Sequence, residues 1–136
     1  MPRDRKANGG QGMKWIRSEK RLAIYLRDGL ACCWCGATCE QDTLTLDHCK
    51  PHSMGGSNDV VNLLTCCRRC NSSRGTRSLP TFAKVVAEYL DHGITADAIL
   101  RHLRNCRLRR VSLSLARALI IRRGSFFSAV HDGEDG

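Results

Sequence analysis

Two Cys-x-x-Cys pairs, Cys32/Cys35 and Cys67/Cys70, limit what this chain can fold into. Each pair sets two thiols on one tight turn, and together they offer zinc four soft ligands in a tetrahedron. The segment they frame is about 40 residues, a size at which an apolar core needs a metal or disulfides to hold it. The nine cysteines could form a disulfide scaffold, but nine is odd, and Met1-Pro2-Arg3-Asp4-Arg5-Lys6 opens no apolar secretory run. A reducing, cytoplasmic setting with thiolates on zinc is therefore expected. Four sulfurs close the coordination shell, which makes such a zinc structural. Cys33 and Cys66 have no partner at the two-residue spacing and are expected to point away from the metal. Cys39, Cys49 and Cys106 are expected as ordinary thiols. No stretch approaches the ~18 uninterrupted apolar residues of a membrane span, so no membrane partner is expected.

Between the pairs lie Asp47-His48-x-x-Pro51, Gly55-Gly56 and Asn62-Leu63, and the second pair runs directly into Asn71, with Arg74-Gly75 beyond it. This order of residues over about 17–77 resembles the HNH (His-Asn-His) endonuclease family, in the variant whose last histidine is replaced by asparagine. The resemblance implies a small α+β fold: a ββα-metal (His-Me finger) motif stapled by the four-cysteine zinc site, with flanking helices. It implies cleavage of phosphodiester bonds, and it makes Asn62, fourteen residues after His48, the asparagine that supports the loop and orientation of the catalytic histidine.

Phosphodiester hydrolysis requires an activated water and positive charge near the leaving oxygen. An imidazole suits proton removal from water, which assigns His48 as general base. Adjacent strand residues face opposite ways, so Asp47 can share a site with His48 only if the strand ends and twists there. The Asp47 carboxylate and the Asn71 amide oxygen suit a hard divalent cation, Mg2+ or Mn2+, better than the softer metals that an imidazole ligand favours.

The net charge of +9 is unevenly placed: residues 98–130 hold eight arginines and no acid. A polyanion is the natural partner of such a surface. Arg68, Arg69, Arg74 and Arg77, on or just after the motif helix, are candidate phosphate contacts. Arg107, Arg109 and Arg110 offer a second contact surface that positions a backbone without reading bases. DNA is the expected substrate, and RNA shares its phosphate chemistry.

The chain divides into a disordered basic arm (1–14), a nuclease domain (15–77), a helical basic extension (78–124) and a flexible tail (125–136). Ser18 is placed to cap a helix ending at Asp28-Gly29. Leu44 and Leu46 alternate with threonines as in a half-buried strand, and Val60 to Leu64 suits a second strand or a single turn. Cys67 to Gly75 starts a helix. Further helices are expected from Ser78 to Gly93, from Thr95, and over Leu113 to Ile121. In family terms the chain is similar to small stand-alone nucleases of bacteriophages and their bacterial hosts, some of which act beside packaging terminases. Packaging, restriction and homing all remain open. A single ββα site cuts one strand, so double-strand cleavage calls for a homodimer or two encounters. The rival from another class is a non-catalytic zinc module that only binds nucleic acid; it needs the cysteines and the charge but not Asp47, His48, Asn62 and Asn71.

Overall fold

The computed structural model describes residues 15–132, so the expected basic arm and residues 133–136 lie outside it. Strands β1 (Leu44–His48) and β2 (Leu63–Cys67) pair antiparallel, in a register running from Leu44 opposite Cys67 to His48 opposite Leu63. Two single 3-10 turns, His52–Met54 and Val60–Asn62, carry the connection. Helix α2 (Arg68–Arg74) begins where β2 ends, completing the expected ββα unit within a small α+β fold.

A two-stranded sheet is marginal alone, and here it is covered on both sides. Leu44 and Leu46 of β1 and Leu63 of β2 pack with Leu22, Ile24 and Tyr25 of α1 (Ser18–Arg27). Alternation sends Leu64 to the other face, where it joins Trp34 and the knuckle cysteines. Helices α3 (Leu79–Leu90) and α4 (Ala96–Leu108) close that side through Phe82, Val86, Ile99 and Leu103. Helix α5 (Leu113–Arg123) closes the first side through Ala116 and Leu119.

The later helices begin at hydroxyl caps, of which Ser78 and Thr95 stand at the starts that the sequence suggests. The Ser78, Thr95 and Ser112 hydroxyls accept from the backbone N–H groups of Thr81, Ala98 and Leu115, satisfying first-turn donors. Helix α3 stops earlier than expected, at Asp91 in the left-handed region (φ 51°), and α5 runs on to Gly124 (φ 93°). Ser18 does not cap α1. Arg17 occupies the capping position with no side-chain bond, and the helix is held by its buried apolar face instead.

The expected flexible tail is corrected more sharply. Residues Phe126–Asp132 form a sixth helix, α6, whose Ala129 and Val130 are buried in the cluster around α1. Its short apolar pattern is weak by itself and gains its partner only from α1 and α5.

The end of α1 is tied to the start of β2 by a buried pair. Arg27 Nε donates to Asp28 Oδ1 at 2.7 Å, and its Nη1 and Nη2 donate to the carbonyls of Val60 and Leu63. Asp28 Oδ2 accepts from the Thr65 N–H at 2.9 Å. Both charges thus find partners without water.

Candidate functional site

The sulfurs of Cys32, Cys35, Cys67 and Cys70 all lie within 4.8 Å of one another. Cys35 and Cys67 are 3.7 Å apart, against an edge of about 3.8 Å for a tetrahedron with zinc–sulfur bonds of about 2.3 Å. One pair sits in the turn after α1. The other straddles the end of β2 and the first turn of α2, where the Cys67 sulfur accepts from the Cys70 N–H. The Cys35, Cys66 and Cys70 thiols hold the Cys32 sulfur well below the ordinary thiol range, and donating to it pushes Cys35 and Cys70 above that range. The four can hold zinc. Cys66 stays outside this group and donates to the Cys67 carbonyl, although its thiol also neighbours Cys32.

Asp47 and His48, consecutive on β1, take partners on different sides of the strand. Asp47 is only 6% exposed. Its Oδ1 accepts from Arg74 Nη1 at 2.7 Å and its Oδ2 from the Trp34 indole at 3.2 Å. Burial pushes the Asp47 carboxyl above its usual range, opposed by the Arg74 guanidinium and the Trp34 indole. Asn71 spends its amide N–H groups on Thr45 Oγ1 and the Leu46 carbonyl, so Oδ1 is the atom that could meet a cation. Thr45 and Asp47 share a strand face, so Asn71 and Asp47 flank the same stretch of β1. Each Asp47 oxygen accepts one of these bonds and retains lone-pair capacity. A carboxylate and an amide oxygen suit a hydrated Mg2+ or Mn2+, which takes few protein ligands.

His48 faces the other way. Its Nε2 lies 2.9 Å from Asn58 Oδ1. An amide oxygen only accepts, so in the neutral ring Nε2 carries the proton and Nδ1 keeps the lone pair. The Trp15 ring lies beside the imidazole, tilted by 33° at 4.8 Å between centroids, and His52 lies 5.9 Å away. The Asn58 carbonyl accepts from Lys20 Nζ at 2.7 Å, which ties the histidine's partner to α1. Asn62 does not touch the ring. Its Oδ1 accepts from the Lys50 N–H, and its Nδ2 donates to the carbonyls of Ser57 and Lys50. It therefore braces the loop that delivers Asn58. Gly56 lies in the same loop, and a Cβ there would stand 1.8 Å from the Lys50 carbonyl oxygen.

The arginines separate by environment. Arg74, expected to hold a phosphate, is buried, and its N–H groups go to Asp47, His48, Cys49 and Arg77. Its spacing from Asn71 turns it inward, onto the carbonyls of the strand end. Arg68, Arg69, Arg77, Arg109 and Arg110 are exposed. Arg69 lies over the Tyr89 ring, and Arg77 folds back onto the Ser73 carbonyl. Arg107 donates to the Val61 carbonyl at 2.6 Å, and Arg109 reaches the Arg27 carbonyl. Sequence reasoning missed Asn58, Trp15 and Lys20. With Arg117 they line a cleft of about 340 Å³. Only the basic side chains near the N-terminus and in the Arg-rich segment hinted at it.

Part of the chain is similar to known proteins. Residues 32–86 match the HNH endonuclease family. The chain is also similar to the CRISPR-associated endonuclease Cas9 of Actinomyces naeslundii, with 39% identity over 65 residues. That match covers 47% of this chain and 6% of the relative's length. No solved structure matches the chain significantly. Among the described residues, no helix is long and apolar enough to cross a membrane. The similarity to the HNH endonuclease family thus runs from the first cysteine knuckle into α3.

Proposed function

We propose that this chain is a metal-dependent DNA endonuclease with His48 as its general base. The observation that carries this reading is the 2.9 Å contact between His48 Nε2 and Asn58, which frees Nδ1 to accept a proton. Nδ1 takes a proton from water, the water oxygen bonds to phosphorus, and the bond to the 3′ oxygen breaks. A divalent cation, Mg2+ or Mn2+, held by Asp47 and Asn71 would supply positive charge to the phosphate oxygens once the end of β1 turns Asp47 toward the side on which His48 lies. Asn62 keeps the loop of Asn58 in place, so it is a positioning residue. Zinc on Cys32, Cys35, Cys67 and Cys70 would keep β2 and α2 joined to the first knuckle. The +9 net charge supports a polyanionic substrate, and the family and the relative's description as an endonuclease support cleavage. Exposed Arg68, Arg69, Arg77, Arg109 and Arg110 would meet backbone phosphates, as would the cleft by Trp15 and Lys20. Packaging, restriction and other roles in a bacterial cytoplasm are all compatible with this chemistry, as is a homodimer or a terminase partner.

The ion pair that buries Asp47 favours a second reading, a zinc module that binds nucleic acid without cutting it. Incubating plasmid with purified protein, with and without Mg2+, separates the two. Nicked or linear product that requires the cation and is lost in His48→Ala supports the nuclease. Intact plasmid at protein concentrations that retard it on a gel supports the silent module.

A further inference from the structure

We infer that the chain carries a second site for a thiophilic cation, with zinc as the fitting metal, formed by Cys33, His102 and Cys106. The three ligand atoms lie within 4.8 Å of one another. His102 and Cys106 are four residues apart on α4, hence on one helix face. Cys33 comes from the first knuckle, where its backbone N–H donates to the Thr65 carbonyl at 2.9 Å. The Cys106 sulfur stands 3.6 Å from His102 Nε2. Bonds of about 2.3 Å to sulfur and about 2.05 Å to nitrogen at a tetrahedral angle give a separation of about 3.6 Å. Two thiolates neutralise a dication, which lowers the cost of placing it beside an apolar cluster. Both cysteines are buried, whereas His102 is exposed. The cation would therefore be reached from solvent at the His102 side, where water could fill a fourth position. Soft sulfur and imidazole donors fit zinc and do not fit Mg2+.

The arrangement gives α4 a bond to the knuckle. Helix α4 lies beyond the segment matched to the endonuclease family, and it carries Arg101, Arg104 and Arg107. A metal on Cys33 and Cys106 would fix that basic helix to the turn whose Cys32 serves the four-sulfur site. Spacing could not show this, since Cys33 and Cys106 are far apart in sequence and neither has a partner at the two-residue spacing.

Metal content of the full chain tests the inference. Protein purified with zinc and a phosphine reductant, then dialysed, should hold about two equivalents by mass spectrometry of the element. His102→Ala, at an exposed helix position, and Cys106→Ala should each hold about one, with the circular dichroism of His102→Ala unchanged. Cobalt loading should give weaker sulfur charge-transfer absorption in Cys106→Ala than in the wild type. A single equivalent in the wild type, or two equivalents kept by both variants, would overturn the site. A Cys33–Cys106 disulfide in reductant-purified protein, seen as a mass deficit of two hydrogens with one zinc, would overturn it too. None of these outcomes bears on plasmid cleavage, so the nuclease proposal stands or falls separately.

Discussion

Arg74 donates through Nη1 to Asp47 Oδ1 at 2.7 Å while the same guanidinium bonds the carbonyls of His48 and Cys49. One buried cation on α2 thus grips three consecutive residues at the end of β1. A guanidinium spent this way has no donor fork left for a phosphate. Its work is to fix where the strand stops, and with it the direction in which His48 leaves the backbone.

Removing that clamp should cost stability before it costs chemistry. Arg74→Ala leaves the Asp47 carboxylate buried beside Trp34 without its counter-charge. A broken buried pair of this kind costs about 3–5 kcal/mol. Urea denaturation in the presence of zinc should show that loss, with a smaller one for Arg74→Lys, which keeps the charge but not the fork. Wild-type stability in both variants would mean that the strand end is held by other bonds.

Asn58→Ala should leave zinc content and folding intact and slow cleavage. The imidazole then loses the acceptor that fixes its proton on Nε2, so fewer molecules present a lone pair at Nδ1. The loss should be roughly 10- to 100-fold in rate, below the about 10²- to 10⁴-fold expected for His48→Ala. Single-turnover cleavage of a labelled duplex measures it. A rate equal to wild type would show that Trp15 and the backbone orient the ring unaided.

Gly56 tests the loop from the backbone side. A Cβ at 1.8 Å from the Lys50 carbonyl oxygen cannot be absorbed by rotating a side chain. Gly56→Ala must open the turn that Asn62 braces, at about 1–3 kcal/mol or more, and should move Asn58 away from His48. Both the thermal midpoint and the cleavage rate should fall, whereas Gly55→Ala, strained only through its φ of 87°, should be milder. The idea fails if Gly56→Ala cuts at the wild-type rate.

The parts of this molecule that local spacing determines were legible in the sequence. The Cys-x-x-Cys turns, the alternation of Leu44 and Leu46, and the Ser78 and Thr95 caps each act over a few residues. They appear in the structure with only small shifts of boundary. What was illegible depends on contacts between distant segments. Arg74 looked like a phosphate ligand because spacing from Asn71 says which helix face it shares, not what lies behind that face. Asn58 carries no local signal, and only the folded loop brings its amide to His48. Helix α6 has too little pattern to be seen without α1 to pack on. Cys33, His102 and Cys106 meet only because α4 returns to the knuckle.

Zinc removal should unfold the ββα unit and not merely inactivate it. The four sulfurs join the turn after α1 to the junction of β2 and α2, and the apolar cluster around them includes those cysteines themselves. Cys70→Ser should lose metal at the four-sulfur site and lower the thermal midpoint sharply. Prolonged chelation should do the same to wild type, and readded zinc should reverse it. A midpoint unmoved by complete chelation would mean that packing of Trp34 and Phe82, at 4.8 Å between ring centroids, suffices on its own.

Binding to DNA should weaken steeply with salt, and the exposed arginines should set the slope. Each phosphate neutralised contributes about 0.9 to the fall of log K with log salt. Arg107→Glu, Arg109→Glu and Arg110→Glu combined should therefore flatten the slope by as much as about 2.7 if all three meet phosphates. Arg107 and Arg109 each direct a donor to a backbone carbonyl, of Val61 and Arg27 respectively. These bonds leave other guanidinium N–H groups available, so the two side chains can reach outward while anchored. Arg74→Lys serves as the contrast, because a buried side chain with no phosphate contact should leave the slope as it was. Fluorescence anisotropy with a labelled duplex across a salt series distinguishes the cases. A flattened slope in the triple variant alone places the nucleic acid along the end of α4. Equal slopes in all the proteins would place it elsewhere, on the side of Trp15, Lys20 and Arg117.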